Sequence, residues 1–200
     1  MNILIVDTSY NKLVVAVMAG DRVAHKIISE GIKKNNSLVL PTIDYVLKEL
    51  NIELKDVDYY ACVVGPGSFT GVRIGVSTLN AFNDVFGKPL VAIPALEVIA
   101  YNIHADKFMT SIDARHDNYY SAIFSGDYTH SIEYICNTKN DLDAFDGIVV
   151  IQDNDNYDVD ALIGVALHKI KCNDFVELLK PLYMKESQAE REYREKHGDK

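Results

Sequence analysis

One stretch of this chain occurs twice. Residues 5–21, IVDTSYNKLVVAVMAGD, lie against residues 111–127, SIDARHDNYYSAIFSGD, at one constant offset and without a gap. Asp7 meets Asp113, Ala16 meets Ala122, Gly20 meets Gly126 and Asp21 meets Asp127. Each copy sets an Asp at the end of an apolar run, then a polar turn, an apolar strand and a Gly-Asp turn. A repeated unit of this kind predicts two successive lobes of one design, with the boundary near residues 102–106.

Hydrophobic patterning fills in the first lobe. Ile3 to Val6, Leu13 to Met18 and Val23 to Ile28 read as three short strands separated by turn residues. Val39, Ile43, Val46, Leu47 and Leu50 then recur at the spacing of one helical face, predicting a helix over Ser37 to Leu50 with Pro41 near its first turn. Tyr59 to Val64 and Leu90 to Ile93 read as buried strands, Thr70 to Phe86 as a helix, and Ala95 to about Asn102 as another. Strand and helix alternating after a meander implies a mixed sheet covered by helices, an α/β fold. The second copy continues through strands at Ile132 to Cys136 and Gly147 to Ile151 and helices at Val159 to Ile170 and Asp174 to Leu179. The division expected is 1–103, 104–184 and a solvated polar tail, KESQAEREYREKHGDK, over 185–200.

Charge narrows the function classes. The chain holds 20 Lys and Arg against 29 Asp and Glu, a net charge of −9. Phosphate backbones are bound by clustered Lys and Arg, so this chain is a poor nucleic-acid binder on its own. Cys62, Cys136 and Cys172 are widely spaced and include no CxxC pair, which fits a reducing compartment. MNILIVDTS carries no basic leader and no apolar run approaches membrane-spanning length, so a cytoplasmic protein with no membrane partner is expected.

Two places could carry chemistry. Asp7, followed by Thr8 and Ser9, could hold a hydrated magnesium ion beside a phosphate, or its carboxylate could simply close an Asx turn. GPGSFTGVRIG, Gly65 to Gly75, offers glycines and the start of a helix, where an anion can meet free N–H groups. With Gly65, Gly67 and Ser68 at its start it could cradle a phosphate. It lacks the Lys of a P-loop, however, and Thr70 stands where a G-x-G-x-x-G fingerprint needs its third Gly. Its internal spacing is more telling. Gly67, Gly71 and Gly75 recur every fourth residue and Leu79 continues the row, so one face of the helix admits another backbone. A helix-interior Gly costs about 1 kcal/mol relative to Ala, which calls for a compensating contact. Either internal packing or a partner helix would supply it, and the spacing by itself favours internal packing. Arg73 points to another face. The six histidines form no HxxxH or HExxH pair and no G-x-S-x-G elbow is present, so metalloprotease and serine-hydrolase chemistry lack their residues.

GPGSFTGVRIG, preceded by Ile5 to Ser9 and followed by Ile112 to Arg115 with Tyr119 and Tyr120, resembles the TsaB (YeaZ) family, as does the closing PLYMKESQAERE. The likeness is clear from Met1 to about Phe124. One departure is that Asn35 and Asn36 stand where the family often has a His. The resemblance implies two tandem actin-like (ASKHA, RNase H-like) lobes. It further implies a non-catalytic subunit in the formation of threonylcarbamoyladenosine beside the tRNA anticodon. The implied partners are a TsaD-type catalytic subunit, a TsaE-type ATPase, tRNA through the complex only, and a second copy of the chain when it is alone. No cofactor of its own is implied, with ATP and magnesium at the interface of the complex. Val39, Ile43 and Val46 on the first long helix, and Gly71, Arg73, Gly75 and Leu79 on the second, would form the partner interface.

Overall fold

The computed structural model describes residues 1–29, 32–152 and 158–184; the predicted polar tail, 185–200, lies outside the described residues. In chain order the elements are β1 (Asn2–Asp7), β2 (Leu13–Ala19), β3 (Arg22–Ile28), α1 (Ile32–Glu49), β4 (Tyr59–Gly65), α2 (Phe69–Phe86), β5 (Leu90–Pro94) and α3 (Ala95–Ala100). They continue with β6 (Ala105–Asp113), β7 (Asn118–Thr138), α4 (Lys139–Asp143), β8 (Ile148–Ile151) and α5 (Val159–Lys171).

Five strands form one sheet in the order β3-β2-β1-β4-β5, and three form another in the order β7-β6-β8. β1 pairs antiparallel with β2 and parallel with β4, while β6 pairs antiparallel with β7 and parallel with β8. The two copies of the repeat are therefore β1–β2 and β6–β7, each the hairpin at the heart of its sheet. The second set is shorter in helix: the five-residue α4 stands before β8 where the 18-residue α1 stands before β4.

β1 is buried on both faces, and its period of two divides it between two cores. Leu4 and Val6 join Val39, Ile43, Val46, Val72, Val76 and Leu79 under α1 and α2. Ile3 and Ile5 join the opposite core, which runs through α3 and α5 to Phe108, Ile112, Ala122 and Phe124 of the second sheet.

Three features differ from the sequence expectation. α1 begins at Ile32 and not near Ser37, so Pro41 lies inside the helix, where its ring removes one backbone bond. β7 runs on past the expected Gly-Asp turn; Gly126 is at φ +80° and the Asp127 carboxylate accepts from the Thr129 N–H. Asp174 to Leu179 is not helical. That segment is the start of an extended strap over 174–184 that returns to the first sheet. The Val176 N–H donates to the Leu90 carbonyl at 3.0 Å and the Leu182 N–H to the Val64 carbonyl at 2.7 Å. The Asn80 side chain both donates to the Leu179 carbonyl and accepts the Leu179 N–H, each at 3.0 Å. These long-range bonds use backbone groups that a helix would have paired locally.

Candidate functional site

β1 ends on a side chain that turns the chain. Asp7 Oδ1 accepts the Ser9 N–H at 2.7 Å, the Asx turn of the two sequence readings. The turn is buried, with Asp7 3%, Thr8 0% and Ser9 2% exposed. Buried polar groups need partners, and the start of α2 supplies them. The Ser68 N–H donates to the Ser9 carbonyl at 2.6 Å. The Thr8 hydroxyl donates to the Gly71 carbonyl at 2.7 Å and accepts the Gly75 N–H at 3.1 Å. Those two backbone groups belong to a single helical turn, so Thr8 bridges one rung of the helix from outside. Ser68 caps α2, its Oγ accepting the Gly71 N–H at 3.2 Å.

The glycine row is what lets the turn come this close. A Cβ at Gly67 would overlap the Ser9 carbonyl, and one at Gly71 the Thr8 carbonyl. At Gly75 it would lie 2.7 Å from Thr8 Oγ1 and 3.2 Å from Cys62 Sγ. Burial pushes the Cys62 thiol up and the neighbouring Asp7 charge adds to the effect, so this sulfur stays protonated and behaves as a small apolar group. Gly65, at φ +105°, has the Leu182 carbonyl of the strap 3.1 Å from its Cβ position.

This geometry corrects both functional readings of the corner. Asp7, Thr8, Ser9, Gly65, Gly67 and Ser68 do come together, but the space for a phosphate is filled by the chain's own Thr8 and Ser9 carbonyls. The donors that would hold it, the N–H groups of Ser68, Gly71 and Gly75, are already bonded. The face of the glycine row therefore has no room for a phosphate against it. The partner-interface residues are corrected as well. Val39, Ile43, Val46 and Leu79 are 1%, 3%, 0% and 0% exposed, and Gly71 and Gly75 face the Asp7 turn. An apolar stripe at helical spacing marks the face a helix buries, and here that face lies on the chain's own sheet. Of the seven residues expected at an interface, Arg73 alone faces outward.

What the outward side of the helices carries was not visible in the spacing. Leu40 of α1 is 56% exposed, and Phe69 and Val85 of α2 are 37% and 74% exposed. The strap brings Tyr183 beside Phe69 with ring centroids 4.9 Å apart. The Pro-Leu-Tyr of the closing segment was the one sequence signal for this contact.

The second Asp turn has the same bond and another setting. Asp113 Oδ1 accepts the Arg115 N–H at 2.7 Å, but the turn is exposed, and Arg115, His116 and Asp117 are left-handed at φ +66°, +54° and +57°. Elsewhere, Lys169 of α5 lies 3.2 Å from Glu97 of α3 and 2.9 Å from Asp174 at the start of the strap. Burial pushes the Glu97 carboxyl up in spite of the ammonium beside it. Among the described residues no three His, Cys, Asp or Glu side chains converge as a metal-ligand group.

Residues 27–162 match the family model described as TsaD, tRNA N6-adenosine threonylcarbamoyltransferase. The tRNA threonylcarbamoyladenosine biosynthesis protein TsaB of Bacillus subtilis is 33% identical over 127 residues, 62% of this chain and 55% of that protein. The chain belongs to the TsaB/YeaZ family. TsaB of Haemophilus influenzae is likewise 33% identical over 127 residues, 60% of this chain and 52% of its own length. The chain thus spans about half the length of these curated relatives. In structure it is similar to YeaZ from Pseudomonas aeruginosa, with a TM-score of 0.76 at 20% identity over 91% of this chain and 99% of the other. The fold is the α/β fold expected from the sequence, shared with that YeaZ structure. No helix of the described residues is long and apolar enough to cross a membrane.

Proposed function

We propose that the chain is a non-catalytic subunit in the formation of threonylcarbamoyladenosine beside the tRNA anticodon, binding and activating a TsaD-type catalytic subunit in the cytoplasm. The observation that carries this reading is the inward glycine row. The corner where an actin-like enzyme would grip a phosphate is locked onto the chain's own first turn, so its role is to hold α2 in place. What remains available on α1 and α2 is their outward side, with Leu40, Phe69, Arg73 and Val85. Exposed apolar groups beside a cation are the composition of a docking surface. With 29 acidic against 20 basic residues, the chain reaches tRNA through the complex, not alone. A TsaE-type ATPase docks on the assembled pair, ATP and magnesium act at the interface of the complex, and the free chain pairs with a second copy of itself. The TsaB relatives and the family match over residues 27–162 support this reading.

The test is reconstitution. The full chain and the TsaD-type protein of the same organism should co-elute in size-exclusion chromatography. The modified nucleoside should form on tRNA only when both are present with the ATPase and the threonylcarbamoyl donor. The competing reading is a nucleotide-hydrolysing enzyme of the actin-like superfamily. It predicts that the chain alone binds ATP with magnesium and turns it over, and that result would sink the subunit reading.

A further inference from the structure

Arg73 stands on the outward side of α2 in surroundings that fix its orientation. Its guanidinium carbon lies 3.9 Å from the centroid of the Phe69 ring. Tyr183, brought back by the strap, stacks on the same ring at 24° between planes. The Arg73 Nε–H donates to the Tyr183 hydroxyl at 2.6 Å. A guanidinium resting on an aromatic face and tethered through Nε has lost most of its rotamer freedom before any ligand arrives. Its two terminal nitrogens remain, and together they form the end-on fork that matches a carboxylate. Among the described residues no Asp or Glu pairs with Arg73, although the chain has a surplus of acids. Beside it runs an open groove of about 320 Å³ lined by Phe69, Thr70, Arg73, Ile74, Ser77 and Thr78.

We infer that Arg73, oriented by Phe69 and Tyr183, is an anchor that receives a carboxylate of the catalytic-subunit partner in end-on bidentate geometry. The groove takes the apolar side chain next to that carboxylate, against Ile74 and the methyl groups of Thr70 and Thr78. Charge complementarity selects the occupant, because the cation is exposed, pre-oriented and without an acidic partner among the described residues, on a chain with a surplus of acids. The inference rests on the subunit reading and adds to it that the docking face is completed by the strap: α2 alone supplies the guanidinium, while Tyr183 sets its direction.

The experiment is calorimetric titration of the full chain with the TsaD-type subunit at low and high salt. Arg73→Gln is expected to weaken binding about 30-fold, in the range of an interface hot spot, and Arg73→Lys nearly as much because the fork is lost. Tyr183→Phe keeps the ring and removes the Nε acceptor, and should weaken binding about 5-fold with an unchanged melting temperature. Arg73→Glu should be rescued by Lys at one Asp or Glu of the partner. If the wild-type chains bind and Arg73→Gln binds equally well, the inference fails and the subunit reading stands. If the wild-type chains do not bind at all, the subunit reading fails and takes the inference with it. Saturable binding of inorganic phosphate to the isolated chain, abolished by Arg73→Gln, would overturn the carboxylate in favour of a phosphate ligand.

Discussion

Asp7 and Asp113 sit at equivalent places of a repeated hairpin, and each accepts the N–H two residues on at 2.7 Å. Around the first, Thr8 and Ser9 are clamped to α2 through the glycine row. Around the second, the chain stands in solvent and runs through three left-handed residues. Local sequence set the same turn twice, and the neighbouring helix made one of them a lock. A left-handed conformation costs an L-residue roughly 1–2 kcal/mol, which the exposed turn carries without the clamp that the buried one has.

The difference can be broken most strongly at the glycines. Gly71→Ala should destabilise the chain by about 3 kcal/mol or more, since the new methyl meets a backbone carbonyl that cannot move freely. Denaturant unfolding measures it, and a loss under about 1 kcal/mol would show that the clamp is loose. Next comes the bridging hydroxyl. Thr8→Val removes the buried hydroxyl that bonds the Gly71 carbonyl and the Gly75 N–H and should cost about 1 kcal/mol. The equivalent position in the second copy is Ala114; Ala114→Thr should stay within about 0.5 kcal/mol, as surface substitutions do. A third variant sharpens the comparison from the other side. His116→Gly relieves a left-handed position and should raise stability by about 0.5–1 kcal/mol, less than the strain removed because Gly gains freedom in the unfolded chain.

The smallest effect concerns Asp127, the repeat partner of Asp21. The Thr129 hydroxyl, then His130 and the Thr129 N–H, hold its carboxyl down to about 2, against about 3.9 in an unfolded chain. A carboxyl depressed by folding contributes stability above its unfolded pKa and loses it as pH falls through the folded one. The contribution is therefore present above about pH 4 and fades toward pH 2, and solvent screening keeps it small. Asp127→Asn should lower the melting temperature slightly at neutral pH, and the difference from the unaltered chain should shrink as pH falls from about 4 toward 2.

Much of the architecture was readable because it is periodic. Ile3 to Val6, Leu13 to Met18 and Tyr59 to Val64 announce buried strands, and the Val39, Ile43, Val46 row announces a helix face. The spacing of Gly67, Gly71 and Gly75 favours internal packing, and the close neighbour is the chain's own Thr8 and Ser9; it was the interface expected from the resemblance that pointed outward. Phe175, Val176, Leu178 and Leu179 read as a helix, but Leu179 is 1% and Leu178 50% exposed in an extended strap. Asn80, 99 residues away, pairs both backbone groups of Leu179.

By itself the sequence determined the repeated hairpin pattern, the α/β class and the glycine row that admits close contact. Each is a matter of local spacing and of the space a side chain occupies. Only the tertiary structure decided that the glycines close on Asp7 to Ser9, that the apolar helix stripes face inward, and that Tyr183 crosses back to orient Arg73. Those outcomes depend on pairings between residues far apart in the chain. Such pairings are fixed when both cores close together, and no local pattern records them.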